Sequence, residues 1–232
     1  FEMVFASARK SGLIDSRHTT SHVPFGLVLG PGGGKLKSRS GGAVKLLDLL
    51  NEAIDRAAAS VKDRNPDTTQ EELRRLSRSI GIGAVKYSDL KSDRTKDYVF
   101  DWEKMLSFEG ETGPYLQYAH ARISSILRND KFQQSKSGLT SFSLAHESEM
   151  RLAREILKYP ESVDQAAEDL APHRICKQLH RLSQAFAAFY ENCPVLVEDG
   201  NTRNERLALC RITGGILNHG LNLLGIDAPD RM

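Results

Sequence analysis

Apolar residues recur along this chain at steps of three and four over most of its length. Val44, Leu47, Leu50, Ile54, Ala57 and Val61 mark one face of a helix. Asn65-Pro66-Asp67 breaks that run. Thr69, with Glu72 three residues on, reads as a capping-box start for the next helix, striped by Leu73, Leu76 and Ile80. Gly113-Pro114 opens another helix, since proline suits a first turn. Its stripe is Leu116, Ile123 and Leu127. Leu152, Ile156 and Leu157 form a further stripe, predicted to end at Tyr159 before Pro160. Pro172 starts a long helix with Ile175, Leu179, Leu182, Phe186 and Phe189 on one side. Leu207, Cys210, Leu217, Leu221 and Leu224 follow, with Gly225 as the stop.

The front of the chain is different. Val4 to Lys10 reads as a helix end stopped by Gly12, and Val23 to Leu29 as a short strand with Pro24 near its start. Gly30-Pro31-Gly32-Gly33-Gly34 is a loop that continues to Ser40. Tyr98 to Trp102 is a second extended segment. The tracts Asn129 to Ser143 and Glu198 to Arg203 are predicted loops. These elements predict a mainly α protein: the tail of an α/β unit, then a helix bundle, with the seam near Gly110.

Composition narrows the class. The 232 residues are 40% hydrophobic and 27% charged, with a net charge of +2, so wholesale disorder is excluded. No stretch approaches the roughly 18 uncharged apolar residues of a spanning helix, so no membrane partner is expected. The start, Phe1-Glu2-Met3-Val4-Phe5, has no basic n-region and no initiating Met. No secretory signal is therefore expected, and the chain reads as a piece of something longer. Cys176, Cys193 and Cys210 are odd in number and widely spaced, which argues against a disulfide framework or zinc site and for a reducing cytosol. Cys176 and His180 share a helix face, but two ligands do not close a site, so packing is the expectation and no metal site is predicted.

Three segments carry candidate chemistry. Lys35, Lys37 and Arg39, with Ser38 and Ser40, follow the glycine run; such a loop can wrap an anionic leaving group, although a solvated basic loop looks the same. It lacks the Gly-Lys-Ser/Thr order of a Walker loop. Gly81-Ile82-Gly83 lacks the third glycine and preceding strand of a dinucleotide fingerprint. In Tyr115 to Arg122, about 100° per residue puts Tyr115, Tyr118, Ala119 and Arg122 on one face and Leu116 and Ile123 on another. Two aromatic plates beside a cation suit single-stranded bases, while buried tyrosines with satisfied hydroxyls are the plainer reading. His120 and His180 have no nucleophile motif nearby and read as core or surface histidines.

Several blocks, taken in order, resemble the arginyl-tRNA synthetase family: Gly26 to Gly30, Lys37-Ser38-Arg39-Ser40-Gly41 running into Val44 to Leu50, Gly83 to Leu90, Tyr98 to Leu106, Gly110 to Arg122, and Gly225 to Met232. The resemblance implies a class I aminoacyl-tRNA synthetase that joins arginine to its tRNA with ATP, expected with Mg2+, through an arginyl-adenylate. It implies a fold in which the end of a class I α/β catalytic domain (1–110, with signature loop and connecting helices) precedes an all-helical anticodon-binding bundle (111–232). It assigns Lys35, Lys37 and Arg39 to catalysis, and those three with Ser38 and Ser40 to the ATP phosphates. Tyr115, Ala119, Arg122, Tyr190 and Met232 fall to tRNA. Arginine-specific tRNA, ATP and arginine are the implied partners, the cytoplasm is the implied compartment, and membership of a multi-synthetase complex is admitted.

Two departures stand out. No His-x-Gly-His motif occurs, so the chain looks like the C-terminal part of such an enzyme and is expected to be inactive alone. Gly32 and Gly34 stand where the family usually has Asp and Lys. The alternative reading is a non-catalytic helical tRNA-binding or assembly module derived from a synthetase.

Overall fold

The computed structural model describes residues 1–30, 34, 46–128 and 142–232. In chain order the elements are α1 (Glu2–Lys10), β1 (Val28–Leu29), α2 (Leu46–Arg64), α3 (Gln70–Leu90), β2 (Tyr98–Val99), α4 (Trp102–Leu106), α5 (Gly113–Arg128), α6 (Glu147–Leu157), α7 (Tyr159–Glu168), α8 (His173–Asn192) and α9 (Gly200–Leu223). The protein is mainly helical, as the periods predict.

Polar side chains at the helix starts fix where these runs begin. The Thr69 hydroxyl accepts from the Glu72 N–H at 3.3 Å and starts α3. The Asp101 carboxylate accepts from the Lys104 N–H at 3.1 Å and starts α4. At α6 the His146 ring accepts from the Ser148 N–H while Glu149 accepts from the His146 N–H, a reciprocal cap.

Four expectations need correction. The strand predicted over Val23 to Leu29 shrinks to Val28–Leu29, which pairs in parallel with Tyr98–Val99. Trp102 is helical because Asp101 caps α4. The chain does not leave helix at Pro160: α7 starts at Tyr159 with that proline in its first turn, where the missing N–H has no helical partner to lose. The loop placed at Glu198 to Arg203 is shorter, because the Asp199 carboxylate accepts from the Thr202 N–H at 2.8 Å and opens α9 at Gly200.

The main core gathers Leu179, Leu182 and Phe189 of α8, Leu207, Leu217 and Leu221 of α9, and Leu116 and Ile123 of α5, all fully or almost fully buried. Each such side chain contributes about 1.5–3 kcal/mol relative to exposure. A second cluster joins α2 to α3 through Ala57, Val61, Leu76 and Ile80. Gly81 and Gly83 lie inside α3, where neighbours crowd it. A β-carbon on Gly81 would stand 2.7 Å from the Ala53 backbone of α2. One on Gly83 would meet the Gln117 amide at 3.0 Å. α3 therefore sits against α2 at a spacing only glycine allows at position 81.

Candidate nucleic-acid interface

The candidate face is built on α5, and its rotation is set at its start. Gly110 turns the chain with φ +75°. The Thr112 hydroxyl donates to the Ser107 carbonyl at 2.6 Å and accepts from the Tyr115 N–H at 3.1 Å. That fixes Leu116, Ile123 and Ile126 inward, leaving Tyr118 and Arg122 exposed.

The structure brings four of the predicted tRNA residues to the seam of α5 and α8. Tyr115 is half-buried, packed on the main core, with its ring 5.7 Å from that of His180. Ala119 is 8% exposed, one turn on. Arg122 lays its guanidinium 4.2 Å over the Tyr190 ring, and Tyr190 in turn lies 6.1 Å from Phe186. Stacking holds the guanidinium plane while leaving its N–H edge for a phosphate or base edge. Burial raises the Tyr115 phenol above its ordinary pKa. Burial likewise lowers the His180 imidazole, with the Lys91 charge adding to that and Glu111 opposing it. The buried Nδ1 of His180 has no hydrogen-bond partner among the described residues.

Met232 lies elsewhere. The resemblance groups it with Tyr115; the structure seats it against the α2–α3 cluster, where it and Tyr118 of α5 line one cavity. The reason is a row of hydrogen bonds from α3 and α5 that holds the chain end. Lys86 donates to the Gly225 carbonyl. The Gln117 amide donates to Asp227 O at 2.8 Å, and His120 Nδ1 lies 3.0 Å from Pro229 O. Ser124 donates to the Asp230 carboxylate at 3.0 Å and Arg128 to Asp230 O at 2.9 Å. This row delivers the chain end to the α2 side of α5. His120 is thereby a tail anchor, its ring proton placed on Nδ1 by the carbonyl it meets.

Cys176 is fully buried and its thiol is pushed up to about 12 by burial. Its carbonyl accepts from the Tyr87 hydroxyl at 3.3 Å. Among the described residues no three His, Cys, Asp or Glu side chains converge as metal ligands, and no helix is long and apolar enough to cross a membrane. Lys35, Lys37, Ser38, Arg39 and Ser40 lie outside the described residues. Tyr118 lies exposed on the face its spacing predicts; the Phe108 ring, 6.4 Å from its own, and the Arg64 guanidinium over Phe108 come from other elements and carry no spacing signal.

Residues 116–232 match the DALR anticodon binding domain. The chain belongs to the DALR anticodon-binding family. Ahead of that segment, residues 1–102 match the class I (R) tRNA synthetase catalytic domain. Together the two segments make this family member part of the arginyl-tRNA synthetase family. It is 46% identical over 226 residues to the arginine–tRNA ligase of Proteus mirabilis (strain HI4320), covering 97% of this chain and 39% of that protein. Among solved structures it is similar to the arginyl-tRNA synthetase from Plasmodium falciparum, with TM-score 0.83 and 31% identity, covering 100% of this chain and 39% of that one. It is also similar to the Thermus thermophilus arginyl-tRNA synthetase, with TM-score 0.78 and 36% identity, over 88% of this chain and 34% of that one. The chain thus spans about 40% of the length of the curated relatives it matches.

Proposed function

We propose that this chain is the C-terminal portion of an enzyme that attaches arginine to its tRNA, consuming ATP by way of an arginyl-adenylate. In this reading residues 111–232 hold the anticodon end of the tRNA. Residues 1–110 close the catalytic domain, and the turn at Gly110 supports a junction there. The observation that carries the reading is the Arg122 guanidinium stacked on Tyr190 at the exposed edge of α5 and α8, within the segment that matches an anticodon-binding family. Bases stack on aromatic faces, and a cation beside them draws the backbone.

The tract from Lys35 to Ser40 contributes the catalytic share. Attack of the arginine carboxylate on the α-phosphate builds negative charge on the departing pyrophosphate. Lys35, Lys37 and Arg39 neutralise that charge as it develops, with the hydroxyls of Ser38 and Ser40 beside them. ATP enters as its magnesium complex, and the cytoplasm is the compartment this reading expects.

The test compares the chain with the complete protein. The 232-residue chain should bind tRNA without charging it, with affinity falling as salt rises at a log–log slope of about −0.7 per single-stranded phosphate contacted. In the complete protein, Lys37→Ala should slow ATP–pyrophosphate exchange by about 10²–10³ with arginine affinity little changed. Aminoacylation by the chain alone refutes the division of labour. Unchanged exchange in the variant refutes the phosphate role.

A further inference from the structure

We infer that Arg94 is a positioning residue for the proposed reaction: it fastens strand β1, and with it the tract that starts at Lys35, to the α7–α8 corner of the helical bundle. The inference rests on the reading of Lys35 to Ser40 as the phosphate tract and adds a residue outside that tract.

Arg94 lies in the loop between α3 and β2, within the segment that matches the catalytic domain. It reaches two ways. Its backbone carbonyl accepts from the Gly26 N–H at 2.6 Å, just ahead of β1. Its guanidinium Nη1 donates to the Asp169 carbonyl at 3.3 Å, at the end of α7 in the segment that matches the anticodon-binding family. One residue thus touches both the strand and the bundle. Lys35 follows the last residue of β1 by six positions.

The loop that carries Arg94 is braced. The Asp93 carboxylate accepts from the Thr95 N–H at 3.0 Å and from the Thr95 hydroxyl at 2.8 Å, and the Lys96 N–H donates to the Asp93 carbonyl at 2.9 Å. Asp97 Oδ1 accepts from the Leu27 N–H at 2.6 Å. Gly26 lies so close to the loop that a β-carbon there would overlap the Lys96 carbonyl and stand 2.8 Å from the Asp97 nitrogen. A shift of the loop therefore carries β1 with it.

Packing does not supply the fastening. Val28 packs on Ala84, Phe100 and Met105, all within residues 1–110. A cavity of about 390 Å³ is lined by Leu27 and Val28 on the strand side and by Pro172 at the start of α8, and Arg94 lines it too. Open space thus stands where apolar contact would join strand to bundle, and Arg94 makes the join.

Stability does not account for the arginine either. Its Nε is buried with no hydrogen-bond partner among the described residues, and an unmade donor weighs against folding. The corner that presents the Asp169 carbonyl is strained: Leu170 stands at φ +50°, a left-handed backbone that bulky residues avoid. The Asp169 carboxylate is taken by Arg174 and leaves only the carbonyl for Arg94. Two unfavourable features meeting at one contact point to placement. The bundle holds the tRNA and the tract meets the pyrophosphate, so the two share one frame only while β1 stays on the bundle. A misplacement of about 1 Å is enough to lower a rate about a hundredfold without changing what binds.

The test uses the complete protein and follows ATP–pyrophosphate exchange, aminoacylation and melting temperature together. Arg94→Met keeps an apolar stem and removes the unmade donor. It should melt no lower than the parent, while kcat falls about ten- to a hundredfold and KM for tRNA stays within about twofold. Arg94→Lys, with an ammonium to donate to the same carbonyl, should recover most of that loss. An unchanged kcat in Arg94→Met overturns the inference, and so does a loss that falls on KM alone. So does a lower melting temperature that accounts for the lost activity, with lysine no better than methionine. Lys37→Ala, assayed beside it, separates the two levels: if it slows exchange and Arg94→Met does not, Arg94 alone is misassigned. If Lys37→Ala leaves exchange unchanged, the phosphate reading fails and Arg94 has no tract to position.

Discussion

Replacing Gly81 with alanine forces apart two helices that now touch backbone to backbone. The new β-carbon would lie 2.7 Å from the carbonyl carbon and oxygen of Ala53 and from the Ile54 nitrogen, all in α2. Rotamer changes cannot relieve that contact, because no side-chain torsion moves those atoms. Overpacking of this kind costs about 1–3 kcal/mol, and the lack of a yielding side chain puts Gly81 at the upper end. Against it stands a gain of about 1 kcal/mol from replacing glycine inside a helix. A net loss of about 2 kcal/mol lowers the melting temperature of a chain this size by roughly 4–8 °C.

Gly215 supplies the control. It lies inside α9, and a β-carbon there meets nothing within 4 Å. Gly215→Ala keeps the propensity gain without the clash and should raise the melting temperature by roughly 2–4 °C. Calorimetry on the two variants decides the matter. If Gly81→Ala melts at or above the parent, the α2–α3 spacing is not what requires the glycine.

The remaining predictions concern charge and the α5 face. Glu149 and Arg206 form an ion pair at 2.7 Å, with side chains 7% and 15% exposed, so Glu149→Gln should cost about 2–4 kcal/mol in urea unfolding. Burial pushes the Glu149 carboxyl up, but the His146 backbone N–H and Arg206 outweigh it and hold it below its ordinary value. That stabilisation is therefore complete above the unfolded carboxyl pKa and lost as pH falls through the folded one. Below about pH 4.5 the parent should lose stability faster than Glu149→Gln, and parallel pH profiles would contradict the pairing. Tyr115→Ala should lower both melting temperature and RNA affinity, since the ring is half-buried and also lines the seam, while Tyr115→Phe should change neither much. Arg122→Ala and Tyr190→Ala should couple by about 0.5–1 kcal/mol in a double-mutant cycle read by RNA affinity; additive losses would mean the stack does not orient the guanidinium.

The helical elements were legible because each buries one stripe, and Leu179, Leu182, Leu207 and Leu217 sit where their period puts them. Boundaries were misread where a cap or a first-turn proline decides the matter. Asp199 and Pro160 both belong to helix starts but read as loop and stop. Gly81 and Gly83 were set aside as a phosphate fingerprint but given no packing role, because the neighbours they approach, Ala53 of α2 and Gln117 of α5, are invisible from α3 alone. Tyr115 turned out half-buried for a similar reason: its distance from the Leu116–Ile123 stripe says nothing of α8, which arrives with His180 on that side. Met232 was assigned by family position and lies across α5 from Tyr115, since the anchors at Gln117, His120 and Arg128 are more than a hundred residues from the tail carbonyls they hold.

Those anchors explain why α5 can carry an interface on so narrow a strip. One side of the helix is taken by the core through Leu116 and Ile123, and another by the tail through Gln117, His120, Ser124 and Arg128. The strip with Tyr118 and Arg122 is left to solvent. Both neighbours of that strip are held in turn, Tyr190 by packing on Phe186 and Met232 by the tail row. The exposed groups are therefore preorganised without being buried themselves. An RNA strand meeting them has to order its own bases and little of the protein, which is where a stacking surface gains affinity. Loosening the tail should weaken RNA binding without touching a binding residue. His120→Ala removes the ring that faces Pro229 O on the side of α5 away from Arg122. A loss of affinity there, with the Arg122–Tyr190 coupling energy intact, would place the effect in the tail; a loss of that coupling would instead mean that α5 itself had shifted.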